Sequence, residues 1–142
     1  MNLSITLNNL SDYGKAESYA HSAENIFRNN NNFISIYRAQ VQIAKALRNQ
    51  NKFKKAVKYF ESSQNGFRSL KNPELAMIVE AEKLKGYLYS SDWHLANQSY
   101  INLTRFIKRK ASLKNRPEFA EAINNYEKAI QNKKGDGAIV TF

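Results

Sequence analysis

Apolar residues recur every three or four positions along most of this chain, which is the spacing of one face of an α-helix. The row formed by Trp93, Ala96, Tyr100, Leu103 and Ile107 is a clear example. The strict alternation that is typical of strands is nowhere sustained. The spacing therefore predicts an all-α fold, with helices near residues 2–10, 12–29, 33–50, 52–70, 73–90, 92–111 and 117–133.

Residues suited to helix ends stand close to these predicted boundaries. Pro73 and Pro117 are placed where a first helical residue is expected, and proline is well tolerated there. Gly135 and Gly137 follow the last helical pattern and are expected to end it. The residues expected to cap helix N-termini are Asp12, Asn72 and Asp92. Because the predicted connections are short, neighbouring helices should pack antiparallel as hairpins.

Three segments of the chain superimpose at a fixed interval. They are centred on Ala16, Ala56 and Ala96, which are 40 residues apart (56 − 16 and 96 − 56). In each segment an aromatic residue stands three positions before the alanine. A small residue is needed where one helix crosses another closely, so we expect these alanines to be buried at helix crossings. A fixed period of this length is typical of solenoids.

The repeated pattern resembles the tetratricopeptide repeat in a long-repeat form. The matching residues are Tyr13, Ala16, Ala20 and Ala23, then Phe53, Ala56, Phe60 and Ser63, then Trp93, Ala96, Tyr100 and Leu103. The resemblance implies a right-handed solenoid of antiparallel helical hairpins, with about six or seven helices. It implies one domain over residues 1–133, with repeats near 1–30, 33–70 and 73–111, a terminal helix at 117–133 and a flexible tail at 134–142. A generic helical bundle is the alternative.

The charge balance favours acidic partners. There are 22 lysines and arginines against 12 acidic residues, which gives a formal net charge of +10. Nucleic acid, an anionic membrane surface and an acidic protein are all compatible with this charge. The chain has no cysteine, so disulfides and thiolate sites are excluded, and a cytoplasmic location is expected. No apolar run approaches the length of a membrane span.

Catalytic chemistry finds little support in the sequence. The two histidines, His21 and His94, have no partner at metal-ligand spacing within a helix, so we interpret them as ordinary surface or interface residues. No glycine-rich phosphate loop and no nucleophile turn occur. We therefore expect no catalytic residue, no metal and no cofactor, and a protein that binds other molecules and is not an enzyme.

The resemblance also implies a concave groove lined by the first helix of each hairpin. Its expected ligand-binding residues are Arg38, Gln42, Lys45, Arg48, Asn49, Lys85 and Tyr89. Long cations can bind carboxylates, and amide side chains can hold a peptide backbone through a donor and an acceptor together. A protein or peptide partner with an acidic segment is therefore expected. A solvated helix face is the alternative interpretation of these residues.

A second basic cluster lies further along the chain. Its expected members are Arg105, Lys108, Arg109 and Lys110, with Lys114 and Arg116 close by. Such a cluster resembles a phosphate-binding patch, which makes nucleic acid the alternative partner. Few aromatic residues lie among these cations, so base stacking has weak support. A charged end that only promotes solubility is the simpler interpretation, and the oligomeric state is left open.

Overall fold

A computed structural model describes residues 13–135, and six α-helices with one 3-10 turn make up most of that range. They are α1 (Tyr13–Asn29), α2 (Phe33–Asn49), α3 (Phe53–Ser69), α4 (Pro73–Tyr89), α5 (Trp93–Arg109), the 3-10 turn (Ala111–Leu113) and α6 (Pro117–Gly135). These residues include no strand, so the all-α prediction is confirmed.

The predicted helix boundaries agree with the observed ones to within two residues. The largest differences are at the end of α5, where the 3-10 turn takes over, and at the end of α6, which includes the first two residues of the predicted tail. The predicted helix near 2–10, the Asp12 cap and residues 136–142 lie outside the described range. None of the described helices is long and apolar enough to cross a membrane.

The first five helices repeat with a constant length and a constant interval. Each contains 17 residues. They begin at positions 13, 33, 53, 73 and 93, so the interval from one helix start to the next is always the same. Two such intervals make up the period of the sequence repeat, which therefore corresponds to two helices with their two junctions.

Every junction of three residues has the same backbone conformation. Its middle residue is left-handed, with a φ of 54° at Asn31, 63° at Asn51, 57° at Lys71 and 56° at Ser91. The N–H of the third residue reaches back to a carbonyl in the last turn of the helix, as in the 2.9 Å bond from Asp92 to Tyr87. This arrangement is the Schellman motif, which satisfies carbonyl groups that a helix end leaves unpaired.

The residue that closes one helix also starts the next. Asp92 accepts a hydrogen bond from the N–H of Leu95 (3.3 Å), and Asn72 accepts one from Leu75 (3.1 Å). Both predicted N-caps are thus confirmed. Asn32 caps α2 in the same way, which the sequence did not suggest, whereas no side-chain cap bond is made by Lys52. One residue therefore serves two helix ends, which keeps the junctions short.

The chain divides into two compact units between Val79 and Glu80, within α4. The first unit packs α1 on α2 and α2 on α3. Its core is one cluster of buried side chains that includes Ile43, Phe60 and Phe67. In the second unit α5 packs on α6. The large buried side chains there include Leu84, Leu103, Phe119 and Tyr126.

The repeated alanines are buried, as the sequence predicts. Ala16, Ala56 and Ala96 each have a relative exposure of 0%. Each stands at the fourth position of its helix, and the same position of α4 holds the buried Ala76. A methyl group needs little space at this buried position, and a larger side chain in place of one of these alanines would have to be accommodated in the packed interior.

Contacts between neighbouring helices join the end of one helix to the start of the other. The end of α2 touches the start of α1, because Gln50 donates to Glu17 over 3.1 Å. The start of α2 touches the end of α3, where the rings of Tyr37 and Phe67 meet edge to face at 5.8 Å. In the second unit the end of α5 touches the start of α6 through Phe106 and Phe119.

The contact between α2 and α3 depends on a glycine. A Cβ atom added at Gly66 would overlap the ring of Tyr37, whereas one added at Gly14 in α1 would meet nothing within 4 Å. Gly66 is therefore needed for close packing, and Gly14 is not.

This difference gives a matched pair of substitutions. We expect Gly66→Ala to lower the free energy of unfolding by about 1–3 kcal/mol, because the added methyl group forces Tyr37 to move. Gly14→Ala should raise it by up to about 1 kcal/mol, because alanine favours helix over glycine. Urea unfolding of both variants checks this. Equal effects of the two substitutions would contradict the packing described for α2 and α3.

Candidate functional site

Five of the predicted groove residues share one helix of the first unit and form what we call the α2 stripe: Arg38, Gln42, Lys45, Arg48 and Asn49. Arg38 and Asn49 are exposed, and the other three are half-buried. Steps of four, three and four residues connect Arg38, Gln42, Lys45 and Asn49, so these side chains lie along one line of the helix. The structure therefore presents the stripe as a continuous polar surface.

Two members of the α2 stripe are partly withdrawn from solvent. The Arg48 guanidinium lies 5.9 Å from the centre of the Phe60 ring, so it covers an aromatic residue of α3. The Oε1 atom of Gln42 is buried and has no hydrogen-bond donor. A buried acceptor without a donor costs about 1–3 kcal/mol. Arg38 is the cation of the stripe that is most open to solvent.

The two remaining groove residues belong to the second unit. The Lys85 ammonium lies 3.4 Å from Glu121 and 3.7 Å from Glu82, so two carboxylates already surround it. Tyr89 is 73% exposed. The α2 stripe lies in the other unit, so a wall shared by the two sets of residues stays a prediction.

A buried polar cluster joins α1 and α2, and no pattern in the sequence predicts it. Glu24 is buried, and its Oε2 accepts hydrogen bonds from Arg28 (2.7 Å) and from Gln40 (3.0 Å). A buried carboxylate needs such donors, because the loss of hydration is otherwise uncompensated. The cluster therefore fixes how α1 and α2 pair. Only the contact between the two helices brings these residues together, since 16 positions separate Glu24 from Gln40.

The histidines take part in ordinary contacts. His21 lies 3.4 Å from Glu17, which precedes it by four residues in α1, so the expectation that it has no partner at such a spacing was wrong. Its ring meets that of Tyr59 edge to face at 5.8 Å. His94 is exposed and lies 3.3 Å from Gln98. Residues 13–133 contain no group of three side chains that could hold a metal ion.

The predicted basic cluster, which we call the α5 patch, lies at the end of α5. Arg105, Lys108, Arg109 and Lys110 are all exposed. Within the part of the chain that the structure describes, no carboxylate lies within 4.0 Å of any of them. The Lys110 ammonium lies 5.8 Å from the ring of Phe106. Cations are favourable at a helix C-terminus because of the helix dipole, so the patch also stabilises α5.

An apolar pocket opens beside the α5 patch. It has a volume of about 330 Å³ and is lined by Thr104, Ile107, Lys108, Lys114, Ala120 and Ile123. The sequence singled out Lys108 and Lys114 as cations but missed the pocket itself. Ile107 and Ile123 belong to the apolar rows that define α5 and α6, so spacing alone assigns them to the core. Only the packing of the two helices shows that they leave a cavity.

Two stacked tyrosines, one from α5 and one from α6, also hold these two helices together. The rings of Tyr100 and Tyr126 are 4.1 Å apart at 22°. Tyr126 donates to Asn97 over 2.9 Å, and Tyr100 donates to Glu127 over 3.2 Å. Burial raises the pKa of Tyr100 above its ordinary value of 10.0, and the negative charge and hydrogen bond of Glu127 add to the effect. Burial and the proximity of Tyr100 likewise raise the pKa of Tyr126.

No protein-family model, curated protein or solved structure matches this chain.

The tyrosine pair predicts how stability depends on alkaline pH. In the unfolded chain tyrosines ionise near pH 10.0, whereas both tyrosines of the folded pair hold their protons to higher pH. The unfolded state therefore binds fewer protons above pH 10, and the free energy of unfolding falls as the pH rises through that region. Urea unfolding at a series of pH values should show a smaller fall in the double variant Tyr100→Phe, Tyr126→Phe.

The exposed Tyr89→Phe provides the control for this measurement. It should keep the alkaline fall of the unsubstituted protein. At neutral pH the double variant should be less stable by roughly 0.5–1.5 kcal/mol for each lost hydrogen bond, so the slopes are compared and not the absolute values. An unchanged slope in the double variant would contradict the link between this tyrosine pair and alkaline stability.

Proposed function

We propose that this chain is a non-catalytic, tetratricopeptide-like scaffold that binds a protein or peptide, with an acidic segment as the favoured ligand. The observation that supports this most is the strict repetition of five helices of equal length at equal intervals. Helical hairpins that repeat in this way form solenoids, in which each hairpin packs only on its neighbours. A right-handed solenoid of antiparallel hairpins is part of the proposal.

Repetition favours binding because it places equivalent side chains in series. A solenoid presents one residue per helix at each position of its surface, and such surfaces are used to hold extended segments of other proteins. In this chain the first helices of the hairpins would supply that surface. The α2 stripe is the part of it that the first unit contains.

The chemistry of the α2 stripe favours a ligand that carries carboxylates. Arg38 is exposed, and in the described part of the chain no carboxylate lies within 4.0 Å of it. Hydrogen bonds from arginine or lysine to a carboxylate are stronger than neutral ones. The exposed amide of Asn49 can donate and accept at once, as a peptide backbone requires. A net charge of +10 adds a general attraction for acidic partners.

Binding of a fluorescent oligo-glutamate peptide tests the proposal. The double variant Arg38→Gln, Lys45→Gln should bind it at least tenfold more weakly, which corresponds to about 1.4 kcal/mol. Arg48 is left in place because it packs on Phe60. Helix content measured by circular dichroism should not change, since Arg38 is exposed and Lys45 is half-buried on the surface of α2.

The matched control removes two cations from the α5 patch with Lys108→Gln and Arg109→Gln. It should leave oligo-glutamate binding within about twofold of the original. Equal losses in both double variants would indicate general electrostatic attraction and would contradict a site on α2. Loss only in the control would move the binding surface to the end of α5.

Nucleic acid is the second candidate partner, and the exposed cations of the α5 patch favour it. A single-stranded DNA oligonucleotide should then bind more tightly than oligo-glutamate. Its affinity should fall steeply with salt, because cations that neutralise phosphates release counterions. The Lys108→Gln, Arg109→Gln variant should weaken this binding, and the α2 variant should not. That combination of results would replace the peptide-binding proposal.

A further inference from the structure

We propose that the pocket between α5 and α6 binds a small amphiphilic carboxylate, a single apolar chain that ends in one negative charge. This site is separate from the α2 stripe, and the inference does not depend on the scaffold function. It rests on three features of the second unit: the apolar walls of the pocket, the cations at its mouth and the pairing of the nearby carboxylates.

The walls of the pocket suit an apolar chain. Ile107 and Ile123 come from facing helices, and Ala120 adds a methyl group between them. The hydroxyl of Thr104 donates within its own helix, to the carbonyl of Tyr100 at 3.0 Å, so its proton is not available to a ligand. A volume of about 330 Å³ is at the small end of the range for ligand pockets. The lining is almost entirely apolar, so the pocket offers a sugar or a nucleotide few hydrogen-bond partners.

The mouth of the pocket carries positive charge from two segments. Lys108 belongs to α5, and Lys114 follows the 3-10 turn. Lysine side chains cover apolar surface with their methylene stems and keep their ammonium groups in water. An apolar chain inside the pocket would therefore place a terminal carboxylate where these ammonium groups can reach it. Charge-assisted hydrogen bonds of this kind are stronger than neutral ones.

The local carboxylates do not compete for these lysines. Between residues 104 and 123 the sequence has six cations and two acidic residues, Glu118 and Glu121. Glu118 accepts a 3.0 Å hydrogen bond from Arg116, and Glu121 lies 3.4 Å from Lys85. Within the described residues, neither Lys108 nor Lys114 has a carboxylate within 4.0 Å. This surplus of positive charge favours the binding of an external anion.

Straight-chain carboxylates of increasing length test the inference directly. Binding of hexanoate, heptanoate, octanoate and nonanoate to the full chain is followed by shifts of backbone amide signals in nuclear magnetic resonance spectra. The affinity should rise about fourfold with each added methylene until the pocket is full, which is the equivalent of about 0.8 kcal/mol per buried methylene. The largest shifts should fall on residues 104–123. The primary alcohol of the same length should bind at least tenfold more weakly.

Two variants distinguish the contribution of the apolar walls to binding from that of the lysines at the mouth. Ala120 is exposed, so Ala120→Leu should fold normally, fill the cavity and weaken octanoate binding at least tenfold. The double variant Lys108→Gln, Lys114→Gln should bind octanoate only as weakly as the original protein binds octanol. The control is the double variant Lys54→Gln, Lys55→Gln, which changes two exposed lysines of α3. It has the same net charge as the Lys108→Gln, Lys114→Gln variant and should bind octanoate with the affinity of the original protein.

Several results would overturn the inference. An affinity independent of chain length would show that the apolar walls do not take part. Equal losses in the two lysine variants would show that only the overall charge matters. Unchanged octanoate binding by a folded Ala120→Leu protein would place the ligand elsewhere. Binding to anionic lipid vesicles without binding to any soluble carboxylate would make the site a membrane contact and not a pocket for a free ligand.

Discussion

The left-handed residue at each of the four junctions that connect α1 to α5 is the constraint on which the rest of this structure depends. It turns the chain at the end of the helix and lets the next helix start after a junction of constant length. Only glycine adopts this conformation freely; for other residues it costs roughly 1–2 kcal/mol. None of the four is glycine, and only Asn31 and Asn51 belong to the residue type that tolerates it best. The Schellman hydrogen bonds and the packing of the helices on either side must offset that cost.

A constant junction gives α1 to α5 a similar order of buried and exposed positions, and this order decides which side chains meet. The fourth residue of each helix is buried, which explains why alanine or isoleucine occupies it in all five: Ala16, Ile36, Ala56, Ala76 and Ala96. Glu24 and Gln40 meet between α1 and α2 because the constant junction fixes which positions of the two helices face each other. The residues of the α2 stripe and of the α5 patch lie outside the buried core. The candidate binding surfaces are therefore products of the same repetition that builds the core.

Much of this fold could be predicted from the sequence, because apolar spacing and caps are local signals. The helix bounds and the caps Asn72 and Asp92 follow from residues within a few positions of one another, and the buried alanines follow from the period of the repeat. The left-handed conformation of Lys71 and Ser91 could not be predicted, since neither residue type favours it. The pairing of Lys85 with Glu121 depends on contact between distant helices, and the pocket depends on how α5 and α6 pack. Such features exist only after the chain has folded.

Backbone nuclear magnetic resonance of the full chain tests the central claim, which is that one junction repeats at a constant interval along the chain. Chemical shifts and three-bond couplings report φ for each residue. A positive φ is expected at Asn31, Asn51, Lys71 and Ser91, with helical values throughout the helices on either side of each junction. Helical shifts that continue unbroken through Lys71 or Ser91 would contradict the claim. Unequal lengths among the four junctions that connect α1 to α5 would also contradict it, because these five helices would then lose their common phase.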